Sequence, residues 1–133
     1  MTEIKNERKK VTLETLIKRK MELKEKPNMK ASGTVFIPSL DGDIEYEIHK
    51  NDVIDFKNTE GGEAEAQVAV NTLIYTMVKS PDLSDKELQK ELGCVEPTDI
   101  VELLFTEGEQ IDLMNLALEK TGFKAGVITE VKN

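Results

Sequence analysis

Few residues in this chain could do chemistry, and none is grouped as a catalyst would need. His49 is the single histidine, so any triad or imidazole base must be built on it. It ends a stretch in which Glu45 and Glu47 alternate with Ile44, Tyr46 and Ile48, which puts the histidine and both glutamates on the wet face of a strand. Those three side chains lack the further ligand spacing of a zinc site, and a solvated imidazole is the plain reading. Cys94, the single cysteine, follows Gly93 at a helix end. Its neighbours Val95 and Glu96 offer no base or positive charge to favour a thiolate, so it reads as a small apolar side chain. Asp41-Gly42-Asp43 is too little of a calcium loop to count, because the spaced acidic ligands and closing glutamate of an EF-hand are missing. There is no phosphate loop and no GxGxxG. Carboxylates are many, but none is marked by its neighbours as buried. The catalytic, cofactor-binding and metal-ligating sets are therefore empty, and the chain reads as a binding protein and not an enzyme.

Charge is divided unevenly. Residues 1–30 hold ten Lys/Arg and five Asp/Glu, a net of +5, whereas residues 31–133 hold eight and 21, a net of -13. A basic arm is thus joined to an acidic body. Lys5, Arg8, Lys9, Lys10, Lys18, Arg19, Lys20, Lys24 and Lys26 could touch phosphates. Glutamates interrupt them, no aromatic is interleaved, and the body repels nucleic acid, so a solvated or protein-binding face is favoured. The overall charge of -8 suits a soluble protein. One cysteine, a polar N-terminus without a signal core, and no apolar run near the roughly 20 residues of a bilayer span lead to the expectation of a soluble, cytoplasmic protein.

The elements that would position these residues can be read from spacing. Thr12 to Lys26 is predicted helical, capped by Thr12 and stopped by Pro27, with a polar connector over 28–33. Gly33 to His49 is predicted as a β-hairpin turning at Asp41-Gly42. Its apolar face should lie on helices, since a lone hairpin is marginal in water. Asn51 can cap a short helix with Val53, Ile54 and Phe56. After a Gly61-Gly62 loop, Ala64 to Lys79 is helical. Ala66, Val70, Leu73, Ile74 and Met77 share one face, and Val68 and Tyr75 lie roughly opposite. Ser84 and Glu87 form a capping box, Gly93 ends that helix, and Pro97 opens the next. Thr106 and Glu109 form a second box, opening a helix that runs through Leu118 to Gly122. Val127, Ile128 and Val131 form a terminal apolar stretch. The expected fold is mostly α with one hairpin (α+β): a helical arm over 1–30 and one globular domain over 31–133. Hydrophobic residues make up 38% and Trp is absent, so aliphatic side chains must fill the core.

Two apolar stripes are candidate partner surfaces. Leu13, Leu16, Ile17 and Met21 share a face of the arm, with Lys20 and Lys24 in its middle. Such a short helix should order only against an apolar surface, its own body or a neighbour's. Docking on a neighbour is a head-to-tail contact and would make a homo-oligomer. On the last helix Ile111, Met114 and Leu118 share one face, expected to cover the core. Leu113 and Leu116 lie opposite, where they either meet a partner or are themselves internal.

Phe36-Ile37-Pro38-Ser39-Leu40-Asp41-Gly42, then Asn71-Thr72-Leu73-Ile74-Tyr75, then Pro81-Asp82-Leu83 carry a resemblance. It continues through Glu87-Leu88-Gln89 and the run from Leu92-Gly93-Cys94 to Asp99-Ile100-Val101, and ends with Phe105, Gly108-Glu109-Gln110-Ile111 and Gly122-Phe123. Together these residues resemble the XkdN-like phage tail assembly chaperones of PBSX-type defective prophages, over roughly residues 13–123. The resemblance implies a non-catalytic protein of the bacterial host cytoplasm. Its client would be the tape measure protein, kept soluble until tail tube subunits polymerise around it. The tail tube protein is a further implied partner, and no cofactor or membrane is. The runner-up reading of the residues is a nucleic-acid-associated prophage regulator acting through the basic arm, and a remote third is a small hydrolase using acidic residues.

Overall fold

The hairpin is the frame on which the other elements are hung. The computed structural model describes residues 10–26, 29–123, 128 and 130. Strands β1 (Lys30–Ile37) and β2 (Gly42–His49) pair antiparallel, with Lys30 opposite His49 and Ile37 opposite Gly42. Pairing therefore begins within the expected connector, and the Lys50 N–H donates to the Met29 carbonyl at 2.9 Å. Pro38–Leu40 form a 3-10 turn, and the left-handed residue is Asp41 at φ 51°. Aspartate tolerates that conformation, so Gly42 is free to begin β2 in the extended region. Alternation holds along β2: Ile44, Tyr46 and Ile48 are buried and Glu45 faces water.

A third strand extends the sheet to the order β1-β2-β3. It is β3 (Val78–Ser80), antiparallel to β2, where a helix was expected to continue to Lys79. Pro81 explains the difference, because the residue before a proline is driven to extended backbone and Val78 is β-branched.

Two helical pieces precede the sheet, α1 (Leu13–Lys18) and α2 (Lys20–Glu25). Thr12 caps α1 by accepting from the Thr15 N–H, as its spacing predicts. Arg19 interrupts the two but still accepts from the Leu23 N–H at 3.0 Å. After β2 the chain enters α3 (Lys50–Lys57) directly, so Asn51 lies inside the first turn and does not cap it. Then come α4 (Glu63–Met77), α5 (Lys86–Glu91), α6 (Ile100–Leu104) after a 3-10 turn at Pro97–Asp99, and α7 (Glu107–Lys120). The cap of α5 is Asp85, which accepts from the Leu88 N–H; Ser84 instead donates to Asp82. The Thr106–Glu109 box opens α7 as expected.

The core lies between the sheet and α3, α4, α6 and α7. Ile48, Val53, Ile74, Ile100, Val101 and Ala117 are essentially inaccessible. Each large aliphatic among them contributes about 1.5–3 kcal/mol by leaving water. The architecture is α+β, a three-stranded antiparallel sheet under helices. Val127 and Val131 of the terminal stretch lie outside the described residues, and Ile128 is exposed.

Candidate partner-binding surfaces

The sheet carries a cluster of charged groups around Glu47. His49 Nε2 lies 2.8 Å from Glu47, with Lys79 at 3.7 Å and Lys30 at 3.9 Å from the same carboxylate. This is a partly exposed charge cluster, and Glu45 is not in it. Cys94 is half-buried against the core. Among the described residues no group of three or more His, Cys, Asp or Glu is placed to hold a metal ion. No helix among them is long and apolar enough to cross a membrane.

A mainly apolar concavity lies between α3 and α4. Along α3, Asp52, Asp55 and Phe56 fall at helical spacing on one face, and Thr59 follows just past the helix end. Along α4, Glu65, Val68, Ala69, Thr72, Leu73 and Thr76 do the same. These two stripes wall a groove of about 480 Å³, within the roughly 300–1,000 Å³ typical of ligand sites. Its apolar lining includes Phe56, Ala64, Val68, Ala69 and Leu73, and Val68 is 60% exposed. Its rim is acidic, with Asp52, Asp55, Glu60 and Glu65 and no cation in the lining. The absence of cations has a cause in α3 itself. Lys50 and Lys57, seven residues apart, share another face, with their ammonium groups 5.7 and 5.2 Å from the Phe123 ring.

Glu65 ties the rim to the loop before it. Its carboxylate accepts the Gly62 N–H at 2.8 Å, and that bond is the main reason its pKa is held below the ordinary glutamate value. Gly61 is required beside it. At φ +125° a Cβ would be strained, and it would also sit 2.7 Å from the Glu65 side chain.

Behind the groove, α4 is clamped by polar groups that hydrophobic spacing does not reveal. Gln67 donates to Asn71 at 2.8 Å and to Gln110 at 3.3 Å, and Asn71 donates to Glu102 at 2.8 Å. Gln110 also donates to the Phe105 carbonyl at 3.1 Å. Asn71 and Gln110 are buried, so each must be satisfied inside the protein. The sequence signal was available: Gln67 and Asn71 are an i, i+4 polar pair set among Ala66, Val68, Val70 and Leu73.

The two expected partner stripes fare differently. On the arm, Leu13, Leu16, Ile17 and Met21 are 79%, 38%, 67% and 69% exposed, and α1 and α2 contain no buried residue. On α7, Leu113 and Leu116 take the internal alternative. Leu113 is 3% exposed and belongs to the core, Leu116 packs half-buried against it, and Ile111 is the exposed one at 47%. The inward face follows Gln110, Leu113, Ala117 and Thr121 because Gln110 is drawn in by its hydrogen bonds. The larger side chains Met114 and Leu118 take the flanks.

An open apolar groove and an exposed apolar arm thus lie on a small α+β frame. Over residues 2–132 the chain matches the family of phage XkdN-like tail assembly chaperone proteins, and it belongs to that family. No curated protein and no solved structure matches it.

Proposed function

We propose that this chaperone binds the tape measure protein of its phage in the host cytoplasm and keeps it soluble until the tail tube polymerises. Family membership supports the tail assembly role. The observation that carries the binding reading is the groove between α3 and α4, where Val68 is exposed beside the half-buried Phe56 and Ala69. Helical clients lay an apolar stripe into such grooves. A long helical client with repeated stripes could engage several copies of the chaperone at once.

Co-expression with the tape measure protein tests this. The client is expected in the soluble fraction, bound to the chaperone, and in inclusion bodies when expressed alone. Val68→Glu should leave the chaperone folded and return most of the client to the insoluble fraction. A client that is equally insoluble with and without the wild-type chaperone rejects the proposal.

A further inference from the structure

The two edges of the sheet are built differently. On one side β3 has three residues, one of them Lys79, stands just ahead of Pro81, and shifts register against β2. Short length, lysine, proline and irregularity are the devices that stop a strand edge from recruiting another chain. On the other side β1 has none of them between its ends. Its eight residues pair with β2 in unbroken register, and Ala31 to Ile37 hold no charge and no proline. Among the described residues no strand pairs with its outer side. The Lys50 N–H bonds the Met29 carbonyl, and hydrogen-bonded pairs recur at every second residue of an antiparallel ladder. Ala31, Gly33 and Val35 therefore bond to β2, and the backbone groups of Lys30, Ser32, Thr34 and Phe36 point outward.

We propose that this edge receives an extended segment of another protein as a fourth, antiparallel strand whose side chains alternate basic and apolar. The charge of the solvent face selects the basic positions. Asp43, Glu45 and Glu47 stand opposite Phe36, Thr34 and Ser32, and Ser32 and Thr34 are short enough for a lysine or arginine to reach across them. Glu47 is taken up by Lys30, Lys79 and His49, which leaves Asp43 and Glu45 for the partner. The apolar positions follow from the other face. There Ala31, Gly33 and Val35 are only half-buried, while their β2 partners Ile48, Tyr46 and Ile44 are buried. In such a contact the main-chain bonds give affinity and the alternate side chains give specificity. The site is separate from the groove and stands independently of what the groove binds.

A short fluorescent peptide alternating lysine and valine, titrated with the full chain and followed by anisotropy, reads this contact. The wild type should bind it, and should bind a copy with glutamate for lysine at least about tenfold more weakly. In hydrogen-exchange NMR the bound peptide should protect the amides of Ser32 and Thr34, which point outward, and leave those of Gly33 and Val35 unchanged. Thr34→Pro removes an outward N–H at an edge position that tolerates proline, and should weaken binding at least about tenfold. Circular dichroism checks that this variant is folded. N-methylation of the peptide tests the same bonds on the unaltered protein. In an antiparallel addition the lysine N–H groups face β1, so methylating them should abolish binding, and methylating the valine nitrogens should not. Val68→Glu should bind the peptide as the wild type does. A wild type that binds neither peptide, or both equally, overturns the proposal. So does N-methylation that acts alike at lysine and valine, or a loss of binding in Val68→Glu, which would put the peptide in the groove.

Discussion

Ser39 gives both of its donors to the carboxylate of Glu109, the backbone N–H at 2.8 Å and the hydroxyl at 2.7 Å, across seventy residues of sequence. The same carboxylate accepts the Thr106 N–H at 3.0 Å, so the tip of the hairpin is fastened to the start of α7. The Ser39 hydroxyl is the main cause that holds the Glu109 carboxyl below its ordinary range. Desolvation opposes it, and the backbone N–H groups of Ser39 and Thr106 add to the lowering. A carboxyl depressed on folding adds stability above its unfolded pKa and loses it as pH falls through the lower folded value. Glu109→Gln is therefore expected to be less stable than the wild type at neutral pH, with the gap closing in acid. Urea melts across that range measure it, and a gap independent of pH counts against the bond.

Leu113 separates core from surface on α7. Leu113→Ala should cost about 2–5 kcal/mol, as for other buried leucines. Leu13→Ala on the arm should change stability by no more than about 0.5 kcal/mol. Equal effects at the two positions, read by denaturant unfolding, would contradict the burial described.

Asn71 and Glu102 should be energetically coupled. Asn71→Ala removes the bonds of a buried amide to the exposed side chains of Gln67 and Glu102 and should cost about 0.5–1.5 kcal/mol. A double-mutant cycle with Glu102→Ala should give an interaction energy of roughly 0.5–3 kcal/mol. Additivity within error would mean that the clamp on α4 does not act as drawn.

Gly33 faces Tyr46 across the β1–β2 pair, and a Cβ there would come within 2.8 Å of the ring carbon that carries the hydroxyl. Tyr46 is buried and cannot swing clear without disturbing the core. Gly33→Ala should therefore destabilise by about 1–3 kcal/mol, the usual cost of overpacking, and shift the near-ultraviolet tyrosine signal. An unchanged melting temperature would show that the ring moves freely.

Local signals were the most legible part of the sequence. The Ile44–Tyr46–Ile48 alternation, the Thr106–Glu109 box, and the glycines at 93 and 122 with positive φ all act over a few residues. What depended on distant partners was harder. The inward face of α7 turns on Gln110, a polar residue that apolar spacing passes over, and β3 exists because β2 is there to pair with it. The exposed arm stripe was readable from Leu13 to Met21. The groove was half readable: Val68 stands out on the far side of α4, but its acidic rim depends on how α3 turns Lys50 and Lys57 toward Phe123.

No loop residue separates β2 from α3 or α4 from β3. The two walls of the groove thus spring from neighbouring strands of one sheet, which sit about 4.8 Å apart, and meet again only beyond Thr59 at the Gly61-Gly62 bend. Their separation at the sheet end is fixed by backbone hydrogen bonding, and only the glycine end can widen. A helix that seats there meets a surface already in place, so almost all the conformational entropy lost on docking belongs to the incoming segment. Tightness of binding should then follow how helical that segment already is. Substitutions that raise its helix propensity at solvent-facing positions should slow its release without touching a single contact.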